Sequence, residues 1–171
     1  MKKTVLILAI LMTVSNIRAA INPQYGFEDK LPSFLSVNGD AAIELSSDKF
    51  KEGKHSVRFT WNGPSELVFS NFADIESSLK VNDAGIMMWV YNTEPMKDPL
   101  RFTILDWNMN EICHFDFNAD FKGWRAIWMK YIDMLTPTGH YGDLKLKDRA
   151  TGAAGMIIKV PESSPSGTIY I

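Results

Sequence analysis

The sequence contains one cysteine, Cys113, so no internal disulfide can form. Cys113 lies in the segment 111–117 (EICHFDF), where strand alternation puts it on one face with Phe115 and Phe117. Adjacent strand residues point to opposite faces, which argues against a nucleophile pair of Cys113 with His114. We therefore predict that Cys113 is a small, buried side chain that packs in the apolar core.

The chain also lacks an excess of basic charge. Its 18 Lys and Arg residues against 20 Asp and Glu give a net charge of -2, with both signs mixed along the sequence. A protein that binds a duplex normally presents a basic face, so nucleic acid is not a predicted partner. A polyanionic sugar stays open as a partner, because a local basic patch can bind it without a basic total.

The chain also lacks a long apolar run. A membrane-spanning helix needs about 20 consecutive apolar residues, and no run in this sequence is that long. The apolar run Thr4–Val14 follows two lysines and precedes Ala19-Ala20, which is the pattern of a signal peptide over residues 1–20. No cysteine follows this run, so a lipoprotein anchor is not predicted. We expect an exported protein, periplasmic or secreted, with no membrane segment after signal cleavage.

Alternating apolar and polar residues mark short strands in the rest of the chain. Val57, Phe59 and Trp61 alternate with polar residues, and the turn residues 62–64 (NGP) predict the end of that strand. Residues 86–91 (IMMWVY) are apolar on both faces, which predicts a central strand or one that bears a binding surface. About eight or nine such strands, with no convincing amphipathic helix, predict an all-β sandwich.

Two stretches between the strands have no clear pattern. Residues 73–80 fit a helical turn or a long connection, and residues 133–151 form a polar loop of a length that is usually functional or mobile. The second stretch contains His140 and Tyr141, a tempting general acid and base. The sequence places no carboxylate with them, and the two flanking glycines fit a flexible turn instead. No catalytic residue is predicted.

The strand at residues 121–131 (FKGWRAIWMKY) is the one around which the others are arranged. Alternation predicts that Ile127 and Met129 face the core, while Trp128 and Lys130 face the other side. Tryptophans in such strands more often pack in a core than serve as platforms for a ligand. An indole that points away from the core is therefore a reason to look for a binding surface.

Outward residues of three predicted strands form the candidate surface: Met87, Trp89, Tyr91, Arg101, Thr103, Trp128 and Lys130. If the three faces coincide, aromatic rings lie beside two cations. Aromatic planes stack on sugar rings, while Arg and Lys pair with sulfate or carboxylate. The alternative, which fits the residues equally well, is that this surface docks on a neighbouring domain.

An ordered set of motifs resembles one known family. The motifs are Gly26-Phe27-Glu28, residues 45–49 (LSSDK) followed by Gly53, residues 89–92 (WVYN), residues 121–126 (FKGWRA) and residues 166–171 (SGTIYI). Over residues 25–171 their order resembles the N-terminal domain of chondroitin sulfate ABC lyases. The resemblance implies a galactose-binding-like jelly roll, which is a β-sandwich of two antiparallel sheets.

The resemblance also implies an accessory role. In that family the catalytic groups lie in a later helical domain, and no residue here matches their motifs. The full protein would be an exported lyase that cleaves chondroitin sulfate and dermatan sulfate by β-elimination, and this chain, which stops inside an apolar strand, would be a segment of it. The expected partner is a sulfated glycosaminoglycan or the downstream catalytic domain. The alternative is a free-standing exported β-sandwich that binds a ligand without enzymatic activity.

A structural Ca²⁺ is a further expectation. Modules of the resembled type often carry a cation near the first strand and the turn that follows it, with one ligand that here would fall beyond Ile171. The candidate ligands in this sequence are Glu28, Asp48 and the backbone from Lys51 to Gly53. Ca²⁺ takes six to eight oxygen ligands and accepts a mixture of carboxylates and turn carbonyls. The alternative is that these carboxylates are solvated surface groups.

Overall fold

The computed structural model describes residues 27–70, 78–149 and 153–171, which form an all-β fold, as predicted. The strands are β1 (Leu35–Ser46), β2 (Ser56–Ser70), β3 (Gly85–Asn92), β4 (Leu100–Leu105), β5 (Glu111–Phe117), β6 (Gly123–Lys130), β7 (Leu135–Thr136), β8 (Gly139–His140), β9 (Gly155–Lys159) and β10 (Gly167–Tyr170). Short 3-10 turns occur at Ser78–Lys80, Tyr131–Asp133, Tyr141–Asp143 and Leu146–Asp148. No helix in these ranges is long and apolar enough to cross a membrane.

Some of the sequence predictions lie outside the described residues. These are the signal peptide at residues 1–20, Gly26 of the first motif, and residues 73–77 and 150–151 of the two connections without a clear pattern. Export and signal cleavage therefore stay predictions.

The strands form one antiparallel sheet that curls into two layers. Its order is β6-β3-β10-β2-β9-β4-β5-β7-β8, with β1 along the other edge of β2. The first half of β2 pairs with β10 and the second half pairs with β9. Layer one is thus β6, β3, β10 and the first half of β2, and layer two is the second half of β2 with β9, β4, β5, β7 and β8. The predicted jelly-roll sandwich is confirmed, with its layers joined through β2.

The change of layer within β2 lies between Trp61, which pairs with β10, and Glu66, which pairs with β9. Here Gly63 has φ +94°, and β1 shifts its register beside Gly39, which has φ +86°. A Cβ on Gly39 would lie 2.6 Å from the carbonyl oxygen of Pro64, so only glycine fits this approach. The prediction that the strand ends at this turn-like sequence was wrong, because its residues redirect the strand and pairing with β1 continues beyond them.

The hydrophobic core fills the space between the layers. Its fully buried side chains include Phe59, Leu67, Phe102, Ile104, Ile158 and Ile169. Burial of each side chain of this size contributes about 1.5–3 kcal/mol. Cys113 is also fully buried, with its Sγ 3.5 Å from the Sδ of Met134, and burial raises the pKa of the thiol to about 12. The predicted apolar role of this cysteine is confirmed.

The polar stretch after β6 is packed onto the sandwich up to residue 149. Met134 and Tyr141 are fully buried. The guanidinium of Arg149 is also buried and donates a hydrogen bond of 2.7 Å to the side-chain oxygen of Asn82. His140, in contrast, is exposed, with its Nδ1 3.8 Å from a carboxylate oxygen of Asp143. The tempting pair is thus a surface histidine and a core tyrosine, which do not share a site.

Candidate functional site

The outward face of layer one carries a row of large side chains. Pairing of β3 with β6 sets Met87 opposite Trp128, Trp89 opposite Ala126 and Tyr91 opposite Trp124. Directly paired residues share a face, so these side chains lie together on the outside. Trp128 is 65% exposed and Met87 is 50% exposed, whereas Ile127 is buried. The predicted faces of β6 are confirmed. We call Met87, Trp89, Tyr91, Trp124 and Trp128 the aromatic face.

Ring contacts fix the inner part of the aromatic face. The Tyr91 ring meets the Trp124 ring edge-on at 5.4 Å and the Tyr170 ring edge-on at 5.9 Å. Edge-to-face pairs of this kind contribute about 0.5–1.5 kcal/mol beyond their buried area. Trp128 stands at the other end of the face, on β6, which is the edge strand of layer one. The face thus has a rigid end and an open end.

Two lysines from the connection between β1 and β2 lie over the aromatic face. The Nζ of Lys51 is 4.4 Å from the centre of the Trp89 ring, and the Nζ of Lys49 is 5.5 Å from the centre of the Tyr91 ring. Both distances are within the range of cation–π attraction. Within the described residues neither ammonium group makes an ion pair with a carboxylate. The sequence reasoning missed these two cations, because strand periodicity does not show where a connecting loop folds.

Hydrogen bonds hold the loop that carries these lysines. The carboxylate of Glu28 accepts hydrogen bonds from the backbone N–H of Lys54, at 2.9 and 3.2 Å from its two oxygens. Gly53 has φ +70°, and a Cβ there would overlap the Glu28 carboxylate. On the other side of the loop the hydroxyl of Ser56 donates to the carbonyl oxygen of Lys49 at 2.5 Å. These contacts hold the backbone of the loop, and with it the point from which each lysine side chain extends over the rings.

Lys130 lies at the same end of the outward face as Trp128, as predicted, but its charge is paired. Its Nζ is 2.9 Å from a carboxylate oxygen of Asp83. This hydrogen bond raises the pKa of Lys130 and lowers the pKa of Asp83. Because the negative charge of Asp83 offsets its positive charge, Lys130 contributes less to the positive potential of this face than Lys49 or Lys51 does.

Arg101 does not lie with the aromatic face. It belongs to β4 in layer two, which β10, β2 and β9 separate from β3 in the sheet, and it points outward on the opposite side of the sandwich. Its guanidinium donates two hydrogen bonds to the carboxylate of Asp116, at 2.8 and 3.0 Å. These bonds raise the pKa of Arg101 and lower that of Asp116. The expectation that Arg101 and Thr103 share one surface with the aromatic residues is thus wrong. Alternation shows on which face of its strand a residue lies, but it does not show the order of the strands in the sheet.

The predicted Ca²⁺ ligands are only partly brought together. Glu28 lies against Gly53 and Lys54, whereas Asp48 is exposed and its backbone N–H bonds to the hydroxyl of Ser46. No group of three or more His, Cys, Asp or Glu side chains suited to a metal occurs in the part of the chain that the structure describes. A cation here would depend on Glu28 and on backbone carbonyl oxygens such as those of Lys51 to Gly53. The Ca²⁺ site stays a prediction.

Comparison with known proteins decides the family. The family described as "Lyase, N terminal" matches residues 22–171. The chain belongs to this lyase N-terminal family. The relationship predicted from the ordered motifs is thereby confirmed.

Two relatives with known names are both chondroitin sulfate ABC exolyases. The one from Proteus vulgaris is 29% identical over 113 residues, which cover 64% of this chain and 11% of that protein. The one from Bacteroides thetaiotaomicron is 25% identical over 138 residues, which cover 78% of this chain and 13% of that protein. The matches therefore span only 11% and 13% of the lengths of these relatives.

A solved structure supports the fold. The family 11 carbohydrate-binding module from Clostridium thermocellum, in complex with a β-1,3-1,4-mixed-linked tetrasaccharide, superposes with a TM-score of 0.57. The match covers 84% of this chain and 88% of that module, at 14% sequence identity. At this identity the likeness shows only that the two proteins share the β-sandwich fold, and it does not indicate a ligand for this chain.

Proposed function

We propose that the chain is the non-catalytic N-terminal module of an exported glycosaminoglycan lyase and binds chondroitin sulfate or dermatan sulfate on its aromatic face. The observation that carries the proposal is the position of Lys49 and Lys51 over the rings of Tyr91 and Trp89, next to the exposed Trp128. Membership of the lyase N-terminal family and the names of the two relatives support the same substrate class.

The chemistry of the face matches an acidic sugar polymer in two ways. The exposed indole of Trp128 offers a plane on which the C–H face of a sugar ring can stack. The ammonium groups of Lys49 and Lys51 supply charge-assisted hydrogen bonds to sulfate or carboxylate groups, each of about 1.5–3 kcal/mol. Since neither lysine pairs with a carboxylate of the described residues, no ion pair among those residues has to break before a polyanion binds.

The binding claim is tested by calorimetric titration of the chain with chondroitin sulfate. Trp128→Ala and Lys51→Ala should each lower the affinity by about tenfold or more, with little change in melting temperature because both side chains lie on the outside. The matched controls are Trp107→Ala, which removes another exposed tryptophan (61%), and Lys147→Ala, which removes another exposed lysine. Equal losses in variants and controls would contradict the proposal.

The non-catalytic claim has its own test. With chondroitin sulfate, the chain alone should give no absorbance from unsaturated uronate product above the blank. Turnover that disappears in His140→Ala or Tyr141→Phe would overturn this claim, because those two residues were the tempting pair. The cleavage by β-elimination is assigned to a downstream domain of the full protein.

A second candidate function is docking of the aromatic face on the rest of the lyase. The observation in its favour is that Trp128 and Met87 are paired neighbours at the edge of layer one and are both exposed. A water-exposed apolar pair of this size is typical of a surface that another domain covers. If docking is the role, the chain should bind no chondroitin sulfate, and Trp128→Ala should lower the melting temperature of the full-length lyase.

A free-standing exported protein is the remaining alternative. The reading frame after Ile171 distinguishes it from a lyase module, because several hundred further residues support the module and a stop codon supports the free-standing form. Export itself is checked by N-terminal sequencing of the protein from the periplasm or the medium. A mature N-terminus that begins shortly after Ala20 is the expected result.

A further inference from the structure

A groove crosses the outward face of layer two, on the side of the sandwich opposite the aromatic face. Its volume is about 580 Å³, and its lining comes from β4, β5, β9 and the loops beside them. The lining residues that matter here are Arg101, Thr103, Met109, Glu111, Asp116 and Lys159. We call this the layer-two groove.

Four of the five charged lining residues lie close to an oppositely charged group or a histidine, and the fifth, Asp98, accepts a hydrogen bond of 2.6 Å from the hydroxyl of Ser163. Arg101 is held by Asp116 through two hydrogen bonds, and the Oε1 of Glu111 is 2.6 Å from the Nδ1 of His114. The Nζ of Lys159 is 3.9 Å from a carboxylate oxygen of Glu66. The two hydrogen bonds between Arg101 and Asp116 orient both side chains but leave further donors and acceptors open, because a guanidinium has five N–H donors and a carboxylate has about four acceptor positions. The groove thus offers directed donors and acceptors.

The net charge of the groove does not favour a polyanion. Arg101 and Lys159 are its cationic lining residues, whereas Asp98, Glu111 and Asp116 are anionic. A sulfated chain that enters the groove would meet more carboxylates than cations, and each cation already has a partner. Like charges placed side by side are unfavourable, so an uncharged ligand fits this lining better.

Aliphatic surface lies between the polar groups. Ile157 and Leu105 belong to the lining, and so does Met109, which is 60% exposed at the turn between β4 and β5. Met109 has φ +63° and is the single non-glycine residue at positive φ among the described residues. Asp106 holds this turn through hydrogen bonds of 2.8 Å from the backbone N–H groups of Asn108 and Asn110. The thioether is therefore kept at the end of the groove despite the backbone strain.

We infer that the layer-two groove binds a neutral, hydroxyl-rich oligosaccharide at a site separate from the polyanion site of the aromatic face. A sugar hydroxyl donates and accepts at once, which suits paired guanidinium and carboxylate groups, and the C–H faces of the ring suit Ile157 and Met109. Adjacent strands are about 4.8 Å apart, so β9, β4 and β5 span about 10 Å, which is about the length of two sugar rings. The inference goes beyond the proposed function and does not depend on it.

The test is calorimetric titration of the chain with neutral hexasaccharides of β-linked glucose, xylose and galactose. One of these should bind, and both Arg101→Ala and Lys159→Ala should lower the affinity by about tenfold. Lys147→Ala, on an exposed loop outside the groove, should leave the affinity unchanged. The double variant Arg101→Ala/Asp116→Asn guards against an unpaired carboxylate and should show the same loss with a melting temperature close to that of the wild type.

Competition distinguishes the two sites. A saturating amount of chondroitin sulfate should not displace the neutral sugar, and a rise in NaCl from about 0.05 to about 0.5 M should change the Kd of the neutral sugar by less than about twofold. Displacement by chondroitin sulfate, binding that survives both groove variants, or no binding of any neutral hexasaccharide at about 10 mM would each overturn the inference. A failure of Trp128→Ala to weaken chondroitin sulfate binding would contradict only the proposed function.

Discussion

The aromatic face and the layer-two groove are outward faces of one continuous sheet, yet their cations are arranged differently. On the aromatic face a loop places Lys49 and Lys51 over rings, where no carboxylate of the described residues pairs with them. In the groove, β4 and β5 set Arg101 directly opposite Asp116, so the cation is neutralised across the strands. A cation without a carboxylate partner attracts polyanions, whereas a paired cation mainly provides direction for hydrogen bonds. The ligand class that we propose for each face therefore follows from where its cations lie, on a loop over the rings or on a strand opposite a carboxylate.

The largest expected effect comes from reversing the two loop charges. Lys49→Glu/Lys51→Glu should lower the affinity for chondroitin sulfate by about 100-fold or more, because two attractive contacts become repulsive. Binding of a neutral hexasaccharide in the layer-two groove should stay unchanged. Lys145→Glu/Lys147→Glu, with the same change in net charge on another loop, is the control in both titrations. A similar loss in that control would mean that total charge, not the aromatic face, governs binding.

The second prediction compares substitutions at two glycines with positive φ, Gly53 in the lysine loop and Gly63 in β2, to test whether the loop contact matters for binding. Gly53→Ala should destabilise the fold by about 1–3 kcal/mol and weaken chondroitin sulfate binding several-fold, since its Cβ would displace the Glu28 carboxylate that holds the loop. Gly63→Ala carries the same backbone strain at φ +94°, but nothing lies within 4 Å of its Cβ. Gly63→Ala should therefore lower the free energy of unfolding measured in urea, but it should leave the affinity for chondroitin sulfate measured by titration unchanged. Equal affinities for the two variants would show that the Glu28 contact does not position the lysines.

The third prediction concerns the expected Ca²⁺ beside the same loop, which would add positive charge to the aromatic side alone. In a protein that extends past Ile171, where the last expected ligand lies, Ca²⁺ at about ten times its Kd should raise the melting temperature by about 3–6 °C. Glu28→Gln should abolish this rise, because the amide oxygen still accepts the Lys54 N–H bond but no longer carries the charge that a hard cation needs. If a chelator leaves the melting temperature of this protein unchanged, the Ca²⁺ site is absent and Glu28 serves only to hold the loop through its hydrogen bonds to Lys54.

The smallest effect is expected in the groove and depends on pH. The hydrogen bonds from Arg101 lower the pKa of Asp116 below its usual value of 3.8, so this pair stabilises the fold above that pH and loses its contribution as the pH falls through the lowered value. Since both side chains are well exposed, Asp116→Asn should cost at most about 0.5 kcal/mol at pH 7. The difference in stability between the wild type and the variant should begin to shrink near pH 3.8 and vanish once the pH is below the lowered pKa of Asp116. A difference that persists in strong acid would mean that the pair acts through packing.

The sequence was most informative within single strands. Alternation correctly separated the core side of β6, with Ile127, from the outer side, with Trp128, and it correctly put Cys113 in the core. These predictions succeed because the side-chain period of a strand is a local property. The ordered motifs also led to the correct family and fold.

The arrangement of strands relative to one another was beyond the sequence pattern. Arg101 on β4 and Trp128 on β6 both point outward, but four strands lie between β4 and β6, and periodicity does not contain that order. The lysines over Trp89 and Tyr91 were missed for a related reason, since a loop of polar residues has no period that shows what it covers. Residues 62–64 were misread because glycine and proline in β2 mark a change of layer as readily as an end.

The positions of β9 and β10 in the sheet have a consequence for synthesis of the protein. β10 lies between β3 and β2, and β9 lies between β2 and β4, so residues 155–170 supply an inner strand of both layers. A nascent chain that has emerged from the ribosome only as far as β8 can form the β3–β6 ribbon and the β4–β5 hairpin, but it has no strand to join either one to β2. Both ribbons then present open edges, which are prone to pair with other chains. Neither layer can therefore be completed before this segment is translated, and a chain interrupted before Gly155 lacks an inner strand of each layer.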